Sequence, residues 1–265
     1  MGSRYSTENT VTGQGGFSAV ACTHSSPGKD RILVIIPAHN EEGTIGHVVA
    51  KVKESAPTAD VLVIDDHCSD NTTQVAREAG ARVITLPLHL GYGVALQTGF
   101  KYALERGYDY VVQMDGDGQH EPQCINDLLA EVRSGAADVA LGSRFLRGRS
   151  YKAQFIRRLG MMLFGFLTSL AIQQRITDPT SGFQALNRQT VEFHTSDGYP
   201  VDFPDADVLI SLSLNGFRIK EVPVIMYQKA GKSMHSGLKP FYYVLKMLLS
   251  IFLTFFRERG YKARR

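Results

Sequence analysis

From residue 31 onward, short apolar runs alternate with stretches that have the hydrophobic spacing of amphipathic helices. Continuous apolar runs are typical of buried strands, and helices between them are typical of crossovers between parallel strands. The predicted strands span residues 32–37, 61–65, 82–86, 110–114 and 139–142, and the predicted helices span residues 44–56, 72–79, 94–106 and 125–134. This pattern predicts an α/β fold with a mostly parallel central sheet.

Polar clusters lie at or just beyond the ends of all five predicted strands. In an open parallel sheet, the carboxyl ends of the strands meet at one edge, where loops and helix N-termini present unpaired backbone donors. We therefore expect these clusters to line one ligand-binding cleft. They are residues 39–42, 65–66, 91–93, 115–120 and 143–144.

Two longer apolar runs, residues 159–172 and 241–256, lie in the second half of the chain. Each is shorter than the roughly 20 residues that a helix needs to cross a bilayer. Arg157 and Arg158 precede the first run, and further cations follow the second. Apolar faces bordered by cations are typical of helices that lie on a membrane surface, so we predict amphipathic membrane-surface helices here. Ordinary core or oligomer-interface helices are the alternative.

The chain has 265 residues, of which 43% are hydrophobic. That is enough for one substantial core and short for two complete enzyme domains. We expect one catalytic domain over residues 31–240, preceded by a disordered tail at residues 1–30 and followed by an amphipathic basic helix at residues 241–265. The tail is rich in Gly, Ser and Thr and lacks the continuous apolar core of a secretory signal.

Charge and cysteine content narrow the class of protein. A formal net charge of only +3 gives little support for general nucleic-acid binding, so no nucleic-acid partner is expected. Basic residues do gather between Arg144 and Arg158, which favours phosphates or lipid headgroups nearby. The three cysteines are far apart and have no metal-ligand spacing, which indicates a reducing compartment. We expect a cytoplasmic protein that associates peripherally with the cytosolic face of a membrane.

Two carboxylates, Asp115 and Asp117, follow the fourth predicted strand without a cationic residue beside them in the sequence. A bound cation would offset their charge. Mg²⁺ and Mn²⁺ prefer oxygen ligands and commonly take one or two carboxylates, which leaves positions for substrate phosphates and water. Gln119 can supply a further neutral oxygen, and Gly116 and Gly118 leave room for a large ligand.

Three simpler interpretations of residues 115–120 stay open when the segment is taken alone: a turn, a calcium loop or a solvated acidic loop. Asp and Gly both favour turns. A calcium loop would need glycine where His120 stands and an acid where Asn126 stands. The companion clusters at the other strand ends favour the metal site.

Asp65 and Asp66 end the second predicted strand. Two acids at the end of an apolar strand cost desolvation energy unless a partner pairs with them, and nucleobase N–H groups or ribose hydroxyls would serve. Asp70 and Asn71 are the candidates for the N-cap of the following helix.

The helix after residues 91–93 carries small residues at four-residue intervals, Ala95, Gly99 and Ala103, so one of its faces can pack closely. A dinucleotide fingerprint would need glycine where Leu96 stands, and the sequence contains no Walker loop. NAD and ATP are therefore disfavoured as cofactors.

Six segments resemble family 2 inverting glycosyltransferases, in order, within a match that runs from about residue 31 to residue 236. They are residues 37–42, 65–70, 90–95, 115–120, 142–144 and 178–183. Within that family the chain is most similar to the polyprenyl-phosphate branch, which includes the dolichol-phosphate mannose synthases. The resemblance implies the GT-A fold, a single Rossmann-like nucleotide-sugar domain.

The resemblance also implies roles for individual residues. The nucleotide would be held by Pro37, His39, Glu41 and Asp66, and the strand-end clusters add Asn40, Asp65, Gly91 and Gly93 as further donor-side candidates. The metal and the diphosphate would be held by Asp115, Asp117 and Gln119, with Arg144 as a cation near the transferred phosphate. The acceptor-side loop would include Asp178, Thr180, Ser181 and Gly182, and Lys232 and Ser233 complete the C-terminal motif. Apart from the resemblance, the basic segment that contains Arg157 and Arg158 suits a lipid phosphate acceptor.

Two residues depart from the family pattern. Asp207 stands where relatives usually carry Glu, which shortens the reach of a candidate acid or base. Gln228 stands where relatives often carry Arg, which weakens the expectation of a diphosphate contact there. Many relatives also have transmembrane helices after the catalytic domain, so a separate membrane protein or self-association is a further expectation.

The resulting hypothesis is an inverting transfer of a hexose-type sugar from a UDP- or GDP-linked donor to undecaprenyl or dolichyl phosphate. Asp117, through the metal, and Arg144 would stabilise the leaving diphosphate. A lipid phosphate is already anionic and needs no general base. A saccharide hydroxyl is the alternative acceptor and would need one, for which Asp207 is the candidate. Retention of both acids of the Asp115–Asp117 pair argues against a catalytically silent binding module.

Overall fold

The computed structural model describes residues 30–146, 165–196, 199–200, 204–227 and 253. These residues form a seven-stranded sheet in the order β3-β2-β1-β4-β6-β5-β7. The strands are β1 (Ile32–Ala38), β2 (Ala59–Asp65), β3 (Arg82–Thr85), β4 (Tyr110–Gln113), β5 (Val139–Ser143), β6 (Gln184–Asn187) and β7 (Ile219–Pro223). The helices are α1 (Ile45–Ser55), α2 (Thr72–Glu78), α3 (Tyr92–Glu105), α4 (Ile125–Arg133), α5 (residues 165–172), α6 (Arg188–His194) and α7 (Ala206–Leu214).

The sheet is mostly parallel, as predicted. β1 pairs in parallel with β2 and β4, β2 with β3, and β5 with β7. β6 alone is antiparallel, to β4 on one side and to β5 on the other. The carboxyl ends of β1 to β5 and of β7 therefore share one edge of the sheet, which is where ligands bind in open α/β folds.

Two apolar layers cover the sheet, one on each face. Alternation along β1 assigns Val34 and Ile36 to the layer under α1 and α4, and Leu33 and Ile35 to the layer under α3 and α7. The close approach of α3 depends on Gly99, because a Cβ there would lie 2.6 Å from Ile35 Cγ2. The small-residue face predicted for this helix therefore packs directly on β1.

The predicted elements of the first half agree with the observed ones to within a few residues. β6 and β7 had no sequence-based prediction, since β6 is only four residues long and β7 has only two buried positions among its five. Apart from residues 30 and 253, the expected tail at 1–30 and helix at 241–265 lie outside the described residues, so the domain boundaries stay predictions. Within the described parts of the chain, no helix has both the length and the apolar character needed to cross a membrane.

Candidate functional site

Loops from distant parts of the sequence meet at the carboxyl edge of the sheet. The Thr44 hydroxyl donates to the carbonyl oxygen of Gly116 at 2.9 Å, which joins the loop after β1 to the loop after β4. The Tyr92 hydroxyl donates to Asp115 Oδ1 at 2.8 Å, which joins the start of α3 to the same loop. A Cβ on Gly182 would lie 3.1 Å from Asp115 Oδ1, so the loop before β6 also reaches this point. The strand-end clusters thus form one cleft.

Asp115 and Asp117 present their carboxylates at the floor of this cleft. The Asp115 side chain is 34% exposed. Gln119 donates to Asp117 twice, from its backbone N–H to Oδ1 at 3.0 Å and from Nε2 to Oδ2 at 2.5 Å. Because Nε2 faces Asp117, the amide oxygen of Gln119 is the group left for other ligands. Two carboxylates and an amide oxygen form the all-oxygen donor set that Mg²⁺ and Mn²⁺ prefer, so these residues fit a divalent cation.

Tyr92 and His120, which had no individual role predicted from the sequence, hold Asp115 in place. Burial raises the pKa of Tyr92 well above its ordinary value, and the neighbouring Asp115 adds to the shift, so the phenol remains a donor. His120 accepts the backbone N–H of Asp115 at Nδ1, 3.2 Å away, and stacks on Phe183 with ring centroids 4.9 Å apart. Burial lowers the pKa of His120, against the opposing effect of Asp115. A neutral imidazole therefore supports the carboxylate.

Asp66, which is predicted to lie on the donor side, fixes the loop before α3. Its side chain accepts the backbone N–H groups of Leu90 at 2.7 Å and Gly91 at 2.9 Å, which fixes the loop before α3. His89 Nδ1 lies 2.9 Å from Asp66 Oδ2, and His39 Nδ1 lies 2.9 Å from the Asp66 carbonyl oxygen. Two imidazole rings therefore flank this buried acid at the mouth of the cleft.

Asp65 has a different environment from Asp66, although the two are adjacent. Its carboxylate accepts the Cys68 backbone N–H at 2.7 Å and the hydroxyls of Thr73 and Thr85. Burial acts to raise the pKa of Asp65, but these hydrogen bonds together lower it. In this structure Asp65 organises the β2–α2 loop and β3, whereas Asp66 holds the loop before α3.

The loop after β1 is fixed by polar side chains. Asn40 has a left-handed backbone, with φ at 56°, and its Oδ1 accepts the Ser69 N–H at 2.8 Å. The Glu41 N–H donates to Thr72 Oγ1 at 2.8 Å, and Glu41 Oε2 accepts the Thr44 hydroxyl at 3.0 Å. These contacts bring the donor-side residues of the loop against the β2–α2 loop.

Two further predicted donor-side residues are part of the scaffold. Pro37 is buried in β1, and its carbonyl oxygen would lie 3.4 Å from a Cβ on Gly116. Gly93 is buried in the first turn of α3, two residues after the Gly91 N-cap, whose φ of 95° favours glycine.

Arg144, just after β5, and Asp178, in the loop before β6, form a buried bidentate ion pair. Arg144 Nε lies 2.6 Å from Asp178 Oδ2 and Nη2 lies 2.9 Å from Oδ1. Thr180 Oγ1 lies 3.5 Å from the same Nη2. Glu221 on β7 holds the acidic partner, since it accepts the backbone N–H groups of Thr177 at 2.8 Å and Asp178 at 2.9 Å. The pair fixes the direction of the guanidinium, and Asp178 offsets part of its charge.

Asp207 lies in the first turn of α7 and is 3% exposed. Its Oδ1 accepts the backbone N–H of Val208 at 2.9 Å and that of Asp205 at 3.2 Å. Burial raises the pKa of Tyr199 well above its ordinary value, with contributions from Asp207 and Asp205. Asp205 also contributes to the raised pKa of Tyr92.

The remaining predicted residues fall into two groups. Ser181 and Gly182 lie in the loop before β6, where the Ser181 carbonyl accepts Gln184 Nε2 at 3.0 Å and Gly182 packs on Asp115. The others lie outside the described residues: Arg157, Arg158, Gln228, Lys232 and Ser233.

Comparisons with known proteins agree with this geometry. The model of the family described as Glycosyl transferase family 2 matches residues 33–194. The chain is 33% identical over 223 residues to polyprenol monophosphomannose synthase of Mycolicibacterium smegmatis, a match that covers 78% of this chain and 82% of the relative. It is 31% identical over 219 residues to undecaprenyl-phosphate mannosyltransferase of Micrococcus luteus, which covers 78% of this chain and 88% of the relative.

Among solved structures, the chain is similar to glucosyl-3-phosphoglycerate synthase of Mycobacterium tuberculosis in a complex with Mn²⁺, UDP and glucosyl-3-phosphoglycerate. The TM-score is 0.63 at 20% identity, with 87% of this chain and 80% of the other covered. At that identity the likeness is one of fold, and it confirms the expected GT-A-like arrangement.

Proposed function

The chain belongs to glycosyl transferase family 2, and we propose that it transfers a hexose-type sugar from a UDP- or GDP-linked donor to a polyprenyl phosphate, with inversion at the anomeric carbon. The acceptor class is undecaprenyl or dolichyl phosphate. The observation that carries the proposal is the meeting of two loops: a Cβ on Gly182 would lie 3.1 Å from Asp115 Oδ1, and the same loop carries Asp178, which pairs with Arg144. Support for the acceptor comes from relatives that are named polyprenol monophosphomannose synthase and undecaprenyl-phosphate mannosyltransferase.

The donor would bind with its nucleotide toward Asp66 and its diphosphate toward Asp115 and Asp117. Mg²⁺ or Mn²⁺ held by Asp115, Asp117 and Gln119 would offset the charge that develops on the leaving diphosphate. Tyr92 keeps the Asp115 carboxylate in one orientation through its 2.8 Å hydrogen bond. A carboxylate held in one place before the donor arrives does not need to reorganise during the reaction.

Arg144 would contact the acceptor phosphate or the phosphate that leaves with the nucleotide. Its bidentate pairing with Asp178 fixes the orientation of the guanidinium and limits its motion. Glu221 then acts as a positioning residue, because it holds the segment that carries Asp178. Burial raises the pKa of Glu221, against the lowering effect of the Thr177 and Asp178 hydrogen bonds.

An apolar surface suits the chain of a lipid acceptor. Phe166 and Leu170 on α5 are 65% and 68% exposed. They are four residues apart and therefore lie on one face of the helix. Large exposed apolar side chains on one helix face are typical of contact with a membrane surface, so we propose peripheral membrane association through α5. Contacts with a separate membrane protein or a second copy of the chain would use the same face.

A transfer assay separates the lipid acceptor from the saccharide hydroxyl alternative. Full-length protein is incubated with Mn²⁺ and radiolabelled UDP- or GDP-hexoses, and with either undecaprenyl phosphate in detergent or a panel of soluble saccharides. We expect chloroform-soluble product with the lipid and none with Asp117→Asn. Robust transfer to saccharides alone would refute the lipid acceptor, and loss of that transfer in Asp207→Asn would assign the base.

A further inference from the structure

A cluster of two histidines and one aspartate lies at the donor-side mouth of the cleft, outside the Asp115–Asp117 pair. One ligand atom each from His39, Asp66 and His89 lie within 4.8 Å of one another. The two imidazole rings are 4.2 Å apart between centroids, at an angle of 31°. Both histidines are exposed, and Asp66 is buried. The cluster therefore has one fixed member and two side chains that are free to adjust.

Asp66 is preorganised as an anionic ligand. Backbone N–H groups from residues 90 and 91 hold its two carboxylate oxygens at 2.7 and 2.9 Å. Its exposed fraction is 3%, so water screens its charge little. A buried carboxylate with exposed imidazoles beside it attracts a cation that imidazole can ligate.

Hydrogen bonds fix which nitrogen of His39 has a lone pair. Nδ1 lies 2.9 Å from the carbonyl oxygen of Asp66, and because a carbonyl only accepts, Nδ1 must carry the proton. Nε2 is then the acceptor, in agreement with the Asn40 amide nitrogen 3.3 Å away. Histidines that bind metals usually donate their other ring N–H to a carbonyl or carboxylate in this way.

His89 faces the same acid. Its Nδ1 lies 2.9 Å from Asp66 Oδ2 and 3.4 Å from the Asp66 carbonyl oxygen. Ligand atoms about 2 Å from a tetrahedral ion are about 3.3 Å from one another. The ligand atoms of the three side chains now lie within 4.8 Å of one another, so binding requires them to move closer by at most about 1.5 Å. Side-chain rotation of the two exposed histidines is sufficient for a change of this size.

We propose that His39, Asp66 and His89 form a second metal site, specific for Zn²⁺ and similar transition-metal ions. Two imidazole nitrogens and one carboxylate oxygen are a typical ligand set of Zn²⁺ sites that keep a fourth position open. Mg²⁺ prefers oxygen ligands and would select Asp115 and Asp117 instead. The two sites of the cleft thus differ in the class of ion that they take.

A Zn²⁺ ion bound at this site would also weaken nucleotide binding. This consequence rests on the proposed function, because it assumes that the nucleotide binds at Asp66. A Zn²⁺ titration without nucleotide tests the metal site alone. A second titration of UDP or GDP in the presence and absence of Zn²⁺ tests the consequence, so failure of one is distinguishable from failure of the other.

The experiment is isothermal titration calorimetry of the full chain with ZnCl₂, without nucleotide, Mg²⁺ or Mn²⁺. We expect the double variant His39→Ala, His89→Ala to bind Zn²⁺ at least about tenfold more weakly than the unmodified chain. His47→Ala removes an exposed histidine of α1 and is the control. This variant and Asp117→Ala should bind Zn²⁺ at the proposed site with the affinity of the unmodified chain. Asp66 stays unchanged, since its substitution would release the backbone of residues 90–91.

Visible absorption of the Co²⁺-substituted chain provides a second, spectroscopic measurement of the site. Four-coordinate Co²⁺ with imidazole ligands absorbs strongly, and we expect that band in the unmodified chain and not in the double variant. Thermal unfolding verifies that the variants are folded. Equal Zn²⁺ affinity in the double variant and the unmodified chain, or no such band in the unmodified chain, would overturn the proposal.

Discussion

His194 provides a test of the buried structure that is independent of catalysis. The residue ends α6, and its ring is surrounded by aromatic side chains, with centroids 5.1 Å from Phe100 and 5.1 Å from Tyr199. Neither ring nitrogen has a hydrogen-bond partner among the described residues. Burial lowers the pKa of His194 from 6.5 to about 3. We expect this imidazole to make folding stability depend on pH.

The sign and size follow from proton linkage. The unfolded chain protonates this histidine near pH 6.5, whereas the folded chain resists protonation down to about pH 3. His194 therefore costs no free energy of unfolding above the unfolded-state pKa, and the free energy of unfolding falls as the pH drops below that pKa. Between pH 8 and pH 5 the loss is ~2 kcal/mol, which corresponds to about 4–8 °C in Tm for a domain of this size.

The assay compares urea unfolding of the unmodified chain and His194→Leu at pH 8 and pH 5. Leucine keeps an apolar side chain of similar size in the pocket and cannot be protonated, so His194→Leu should lose ~2 kcal/mol less over this interval. His47→Leu, at an exposed position of α1, is the matched control and should follow the unmodified chain. Identical pH dependence of the unmodified chain and His194→Leu would refute the reasoning, because other titrating groups are common to both proteins.

Three further predictions concern the cleft and the exposed face of α5. Asp117→Asn should abolish the increase in Tm that a nucleotide sugar with Mn²⁺ produces, and an unchanged increase would contradict the metal assignment. Gly182→Ala should lower stability by about 1–3 kcal/mol and reduce transfer, because the new Cβ would lie 2.8 Å from a hydroxyl and 3.1 Å from Asp115 Oδ1. Gly43→Ala, where no atom lies within 4 Å of the new Cβ, is its control and should be near neutral. Phe166→Ser should weaken cosedimentation with anionic vesicles and transfer to lipid acceptor, with the folded state retained because the side chain is 65% exposed; vesicle binding equal to that of the unmodified chain would contradict the membrane surface.

Much of the cleft was predictable because its residues follow apolar strands directly. Asp66 and Asp115 come immediately after β2 and almost immediately after β4, and the rule that parallel strands end at one edge places them together. Tyr92 could have been noticed only as an aromatic residue between two glycines, and nothing local relates it to Asp115, 23 positions away. His120 likewise gives no sign in the sequence that it stacks on Phe183.

The motifs that contain Arg144 and Asp178 were recognisable in the sequence, but the contact between the two residues was not. The sequence provides Arg144 and Asp178 as separate residues, 34 positions apart, and the structure pairs them through two short contacts. That pairing depends on β6, which runs antiparallel between β4 and β5 and therefore begins at the cleft edge, so that the loop before it lies beside the end of β5. A four-residue strand with a polar residue at each end has no periodicity from which to predict it.

By itself, the sequence determined the alternation of strands and helices, the family, and which strand ends carry ligand-type side chains, because hydrophobic spacing and short motifs are local properties. Tertiary structure alone decided how adjacent residues divide their roles. Asp65 and Asp66 are neighbours, yet one accepts hydrogen bonds from α2 and β3 while the other holds the loop before α3 at the cleft. Their partners come from segments up to 25 residues away, so only the folded chain could show which loop each acid holds.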